Sequence, residues 1–321
     1  MHTVKNGENY MNNDRLIWLN GKIVPLDDAK CNVLSPSFQF GANVFEGIRG
    51  YWSEKKEELY IFRLYDHYSR LLRSIRLFMM NSSYSIDDFQ NALIDIVRAS
   101  YYKCDIAIRQ TVYIDGMGSW FSKEPVGMFV APIPKDRKPN PQLSGERTCV
   151  SSWERISDKD MSPRIKVGAN YINSRMAKIE AADRGYDSAL FLNRSGYVSE
   201  GTGSCFFMVK NNHLITPMLS DSILESITRD TIIKIAEEEL GIKTIERQIS
   251  RTELYSCDEA FFCGSAVEIT PIIEIDGFKI ENSVEKDSIT NKLHKVYLSI
   301  VTGENNKYCD WLTPVYKEKN A

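Results

Sequence analysis

Apolar residues recur along this chain with two different spacings, and the alternation between them sketches a mixed architecture. Residues 16–24, Leu-Ile-Trp-Leu-Asn-Gly-Lys-Ile-Val, predict two short strands joined by a hairpin at Asn20-Gly21, a pair suited to the positive φ of such turns. A helical period follows from about Asp66, with Tyr68, Leu71, Leu72, Ile75 and Phe78 on one face. A second helix is predicted from Ser85. Ser85 and Asp88 have capping-box spacing, and Phe89, Leu93, Ile96 and Val97 form its buried stripe. Strand-like runs occupy 106–114 and 127–133.

The stretch from Pro134 to Gly145 is rich in proline and charge and poor in apolar residues, as an interdomain linker would be. Beyond it the pattern predicts a helix over about 171–184, a hairpin turning at Asn193-Arg-Ser-Gly196, and another at Lys210-Asn-Asn212. A helix over about 228–240 carries Ile232, Ile233, Ala236 and Leu240 in phase and stops at Gly241. No repeat or low-complexity segment interrupts the order. Hairpins mixed with helices favour an α+β class over a doubly wound sheet. The expected division is a small N-terminal domain (1–135), a linker (136–147) and a larger C-terminal domain (148–321).

Composition narrows the picture mainly by exclusion. The 321 residues suffice for two domains with separate cores. A net charge of −3 lacks the basic face that nucleic acid demands. The polar start, Met1 to Tyr10, has no signal-peptide core, and no apolar run reaches the roughly 20 residues of a membrane span. Seven scattered cysteines and four dispersed histidines fit neither a disulfide framework nor a metal centre. A cytoplasmic protein without metal is the expectation.

Candidate chemistry lies in the second half. Lys166 sits in Arg164-Ile-Lys166-Val-Gly168-Ala-Asn170-Tyr171 between short apolar neighbours. Alone it reads as a surface lysine. Glu200 ends a strand before Gly201-Thr-Gly203, where it is either a solvated turn residue or a carboxylate beside a flat ligand that glycines let approach. Ser226-Ile227-Thr228 stands at a helix N-terminus, which serves as a plain cap, a phosphate cradle or both. Ser265 offers a further hydroxyl. Arg70 falls off the apolar stripe of its helix, a placement that usually means solvation. Amine, carboxylate and phosphate cradle in this order point to pyridoxal 5′-phosphate, whose aldehyde, ring nitrogen and phosphate need these partners.

Several motifs then stand in a known order: Phe45-Glu-Gly47-Ile-Arg49, Phe62-Arg-Leu-Tyr-Asp-His67 with Arg70-Leu71, Lys166 to Tyr171, Tyr197-Val-Ser-Glu-Gly201, Ile227-Thr-Arg-Asp230 and Gly264-Ser-Ala-Val-Glu-Ile-Thr-Pro271. On these the chain resembles the fold-type IV pyridoxal-phosphate enzymes (the D-amino acid aminotransferase-like fold of two α/β domains), and within them the branched-chain amino acid aminotransferases. The resemblance implies that Lys166 is the lysine condensing with the coenzyme and Glu200 the partner of its ring nitrogen. Tyr171 would bind the phenolic oxygen, Leu224 would pack on the ring, and Arg70, Ile227, Thr228 and Ser265 would hold the phosphate. Phe40, Phe45, Gly47, Ala107, Arg109 and Ala266 would face the substrate, with Arg109, expected to be buried, receiving the side-chain carboxylate of glutamate or 2-oxoglutarate. Homodimers exchanging amino and keto acids are implied, each site completed by a loop of the neighbouring subunit.

Departures from the family pattern concern specificity. Ala107 and Phe40 stand where tyrosines are usual, removing two hydroxyls. Either the pocket accepts a bulkier or differently oriented donor, or Tyr113 or Tyr51 compensates. The family's Pro-Gly before Ile-Thr is Glu225-Ser226 here, and its Glu-Asn after Gly-x-Gly is Ser204-Cys205. The resemblance leaves as rivals a D-amino acid transaminase, a lyase like aminodeoxychorismate lyase, and a noncatalytic protein keeping the fold.

Overall fold

The computed structural model describes residues 15–138 and 145–317. Two compact units are present, Met1–Asp136 with Asp310–Ala321, and Arg137–Cys309. Residues 139–144 of the expected linker lie outside the described residues.

The first unit contains β1 (Leu16–Leu19), β2 (Lys22–Pro25), α1 (Pro36–Phe40), β3 (Asn43–Ser53), β4 (Glu58–Phe62), α2 (Leu64–Leu77), α3 (Ile86–Ser100), β5 (Ile106–Ile114) and β6 (Val126–Pro134). The β1–β2 turn has the positive φ at Asn20 and Gly21 that its sequence predicts. Ser85 and Asp88 form the capping box of α3, and Phe89, Leu93, Ile96 and Val97 are buried. Among the described residues the sheet has seven strands, ordered Leu312–Pro314, β4, β3, β5, β6, β1, β2.

Period-two alternation gives this sheet two different faces. On β5 the side chains of Ile106, Ile108, Gln110, Val112 and Ile114 are buried, and Tyr68 of α2 donates to Gln110 Oε1 at 2.9 Å on that face. The opposite face carries Phe45, Gly47 and Arg49 of β3, paired with Thr111, Arg109 and Ala107 of β5. Residues directly opposite across an antiparallel pair share a face, so these six form one surface.

One strand of this sheet arrives late in the sequence. Leu312–Pro314 pairs with β4, and fully buried Glu58 receives the following amides: Val315 (3.1 Å) and Tyr316 (2.9 Å) on Oε1, Lys317 (2.7 Å) on Oε2. The expected C-terminal domain thus ends near 309, because residues beyond it complete the first unit's sheet.

In the second unit are β7 (Glu146–Glu154), α4 (Tyr171–Asp183), β8 (Ser188–Leu192), β9 (Val198–Gly201), β10 (Cys205–Lys210), β11 (His213–Thr216), α5 (Ile227–Leu240), β12 (Thr244–Glu246), β13 (Glu259–Gly264), β14 (Glu268–Ile275), β15 (Phe278–Lys279) and α6 (Ile289–Val301). Its sheet runs β12-β11-β10-β13-β14-β7-β8-β9, with β15 beside β14. Both predicted hairpins form, β8 to β9 and β10 to β11. Val150, Leu190, Val198, Phe206, Met208, Phe262 and Ile272 pack in one core cluster. Ala177 and Ala181 of α4 join Cys149, Ala189 and Phe191 in another, their small side chains allowing close packing.

Among the described residues no helix is long and apolar enough to cross a membrane. None of them group three or more His, Cys, Asp or Glu in a way that holds a metal ion.

Candidate active site

Lys166 lies in the segment leading from β7 to α4. Ile165 and Val167 on either side are buried and anchor the backbone, leaving the lysine half-buried. Asn170 donates to Ser162 O (3.0 Å) and Ile165 O (3.1 Å), closing the loop that presents it. Lys166 Nζ lies 2.9 Å from Tyr171 Oη, the first residue of α4. An amine and a phenol at hydrogen-bond distance can pass a proton between them or share one oxygen of a ligand.

Glu200 sits on β9 between buried neighbours, its side chain only 6% exposed. Oε1 pairs with Arg155 Nη2 at 2.7 Å, and Oε2 receives the Leu224 amide at 3.2 Å. Glu200 is thus no solvated turn residue. Cys205, in place of the family's asparagine, has its Sγ 3.9 Å from Oε2 and 3.8 Å from Leu224 O. Of the two glycines that follow, Gly201 is fixed by packing, since a Cβ there would meet Ser204 Oγ at 2.6 Å and Phe262 at 2.8 Å. Gly203 faces open space.

The loop before α5 is the hub of this half. Its Leu224 amide holds Glu200, and its Glu225 forms an ion pair with Arg164, two residues before Lys166. Ser226 then caps α5 by accepting the Arg229 amide at 3.3 Å. Thr228, 3% exposed, occupies the second position of the helix, where the amide lies outside the helix's own ladder. Ser265 is half-buried in the β13–β14 turn, and Gly264 beside it lies against Gly203 O and Ser204 Cα, joining the two glycine-containing turns. Ala266 in the same turn is exposed.

This donor set fits pyridoxal phosphate. It holds an amine beside a phenol, a buried carboxylate already charge-paired, and a capped helix N-terminus flanked by hydroxyls. Sequence reasoning missed two of its members. Arg155 follows β7 with nothing local to announce a partner on β9, and the Arg164–Glu225 pair joins segments 61 residues apart.

In the first unit, Arg70 overturns the solvated reading. It is 5% exposed and grips Glu46 with Nε at 2.8 Å and Nη2 at 2.6 Å, while His67 Nδ1 lies 2.7 Å from Glu46 Oε2. Burial alone would raise the Glu46 carboxyl; Arg70 and His67 outweigh it and bring it down to about 2. The arginine is off the apolar stripe because it answers a carboxylate on the sheet. Arg109 departs in the other direction. Its expected burial is not found: it is exposed on the opposite sheet face, its guanidinium 4.0 Å from the centroid of the Phe45 ring.

A cavity of about 490 Å³ opens on this face, lined among others by Phe38, Phe45, Arg109, Thr111, Tyr113 and Phe129. Gly47 shares the face and leaves open space above its Cα, and Ala107 lies further along β5. Phe40, at the end of α1, is 52% exposed and lies outside the cavity's lining. Tyr113 shares the face of Ala107 and Arg109. Burial and Asp115 push its phenol up to about 12, so it stays a donor at any working pH.

The comparisons agree with both halves. Residues 43–275 match the family model described as amino-transferase class IV. A probable branched-chain-amino-acid aminotransferase of Aquifex aeolicus is 40% identical over 317 residues, covering 92% of this chain and 95% of the relative. The crystal structure of the branched-chain aminotransferase from Thermoproteus uzoniensis with norvaline is 43% identical, covers 94% and 99% of the two chains, and has a TM-score of 0.87. That of the Thermobaculum terrenum enzyme in its PLP form is 42% identical over 95% and 99%, with a TM-score of 0.89. The α+β architecture, the ordered motifs and these full-length similarities have one reading: the chain belongs to the class IV amino-transferase family.

Proposed function

We propose that this protein is a pyridoxal-phosphate-dependent aminotransferase moving the amino group of branched-chain L-amino acids to 2-oxoglutarate. The observation carrying this reading is the linked set Lys166–Tyr171 and Arg155–Glu200–Leu224, built around one loop. When bound, pyridoxal phosphate supplies an aldehyde that takes up the amine and a ring that draws electrons from the α-carbon. Lys166 Nζ would be the base that takes up and returns the proton at the donor's α-carbon. Tyr171 Oη would hold the phenolic oxygen, Glu200 would face the ring nitrogen, and Leu224 would pack on the ring. Ile227, Thr228 and Ser265 would receive the phosphate.

On the substrate side Phe45, Gly47, Ala107 and Arg109 form the proposed face of the first unit, with Phe40 at its margin, and Ala266 is a substrate contact proposed on the second unit. Arg109 offers a planar fork to the distal carboxylate of 2-oxoglutarate, and the apolar cavity walls suit leucine, isoleucine and valine. Ala107 and the space above Gly47 favour a second reading, a bulkier donor.

The reading includes a homodimer in the cytoplasm. Phe38, Phe40, Met117, Trp120 and Phe121 are each more than half exposed on the first unit, an apolar surface that a second copy would cover. Among the described residues no disulfide joins the cysteines, as suits a reducing compartment. Borohydride trapping with peptide mapping should label Lys166, and 2-oxoglutarate should support brisk turnover of L-leucine and L-valine. Label on another lysine refutes the mechanism, and preference for aromatic donors or simple amines refutes the substrate.

A further inference from the structure

Glu200 has a partner whose geometry exceeds what an ordinary structural ion pair requires. Arg155 is fixed three times over: its amide donates to Leu192 O at 2.8 Å, Nη1 reaches Asn173 Oδ1 at 3.4 Å, and the guanidinium lies 5.7 Å from the Phe191 centroid. Leu192 belongs to β8, the strand that pairs with β9 through Leu190–Gly201 and Leu192–Val198. One strand therefore sets the spacing of both charges. Arg155 Nε is buried with no hydrogen-bond partner among the described residues, so the guanidinium is aimed at Glu200 at the expense of one of its own donors.

We propose that Arg155 is a positioning residue of the proposed reaction, holding the Glu200 carboxylate in one orientation for the coenzyme's ring nitrogen. The inference rests on the reading of Glu200 as the ring-nitrogen partner. A carboxylate this buried is stable as an anion only when charge-paired and hydrogen-bonded. With Oε1 on Arg155 and Oε2 on the Leu224 amide, its plane cannot turn. Without Arg155, one amide would be left to orient it, together with the weak thiol of Cys205.

The test compares Arg155→Gln, Arg155→Lys and Glu200→Gln in the holoenzyme, reading coenzyme affinity, the coenzyme's absorption and fluorescence spectra, melting temperature, and kcat against KM. Arg155→Gln should weaken coenzyme binding and lower kcat by roughly tenfold or more, as when the support behind a binding group is lost. KM for the amino donor should change little, and the spectra should move toward those of Glu200→Gln. Arg155→Lys, which keeps a cation but loses the fork, should lie between Arg155→Gln and the parent. Parental affinity and spectra in a folded Arg155→Gln enzyme would overturn the proposal, as would losses that follow melting temperature alone. If Arg155→Gln does not fold, Arg155→Lys decides, because spectra and affinity identical to the parent's then refute the role. Parental spectra and affinity in Glu200→Gln would instead refute the reading of Glu200 itself.

Discussion

The two faces of the first unit's sheet use alternate residues of the same strands for opposite ends. Glu46 and Gln110 turn inward to a dense network with Arg70, His67 and Tyr68, where every partner is buried. Their sequence neighbours Phe45 and Arg109 turn outward to a cavity of about 490 Å³. Inward positions are constrained by buried charge, whose partners cannot be removed singly at low cost. On the outward face Arg109 is exposed and Ala107 half-buried, so these two side chains can change with less disturbance to the fold than the inward ones. Specificity can therefore drift on one face while stability is guarded by the other, and the chain's departures at Ala107 fall on the permissive side.

The sharpest way to break this contrast is Glu46→Gln. It should cost roughly 3–5 kcal/mol in denaturant unfolding, the penalty for leaving a buried arginine uncompensated. It should also change acid behaviour. The carboxyl falls from an ordinary 4.5 to about 2 on folding, so it contributes stability above pH 4.5 that is lost as pH falls toward 2. The variant should lack that part of the acid transition, and an unchanged acid midpoint would contradict the assignment.

Arg109→Met should do the reverse, leaving the unfolding midpoint within about 0.5 kcal/mol. Its effect belongs in kcat/KM for 2-oxoglutarate, lower by roughly 30- to 100-fold, with L-leucine changed only a few-fold. Equal losses for both substrates would show that the guanidinium does not read the distal carboxylate. Ala107→Tyr should have the smallest effect, improving kcat/KM for branched-chain donors by no more than a few-fold while penalising aromatic ones. No change in either would show that Tyr113 or Tyr51 already supplies what this position lacks.

What the sequence discloses is what short-range rules control. The Asn20-Gly21 turn, the Ser85–Asp88 box, the Ser226 cap and the Gly241 stop lie within a few residues of the groups they satisfy, and all form as read. The ordered motifs reached the family for the same reason, each being local. Arg70 could not be read from its helix, because the carboxylate explaining it lies 24 residues away on a strand. Arg109 misled in the other direction: the resemblance implied a buried arginine, but the register that pairs it with Gly47 puts it on the face opposite Gln110, where it is exposed. Leu312–Pro314 was invisible, being three residues that end in proline.

That late strand has a consequence for how the molecule is made. Val315 reaches Glu58 across 257 residues, so β4 emerges from the ribosome long before its edge partner exists. While the intervening polypeptide is translated, an unpaired ribbon of amides and carbonyls stands open to neighbouring nascent chains, the kind of template on which aggregates begin. Chaperone demand during synthesis should accordingly centre on that half-built edge.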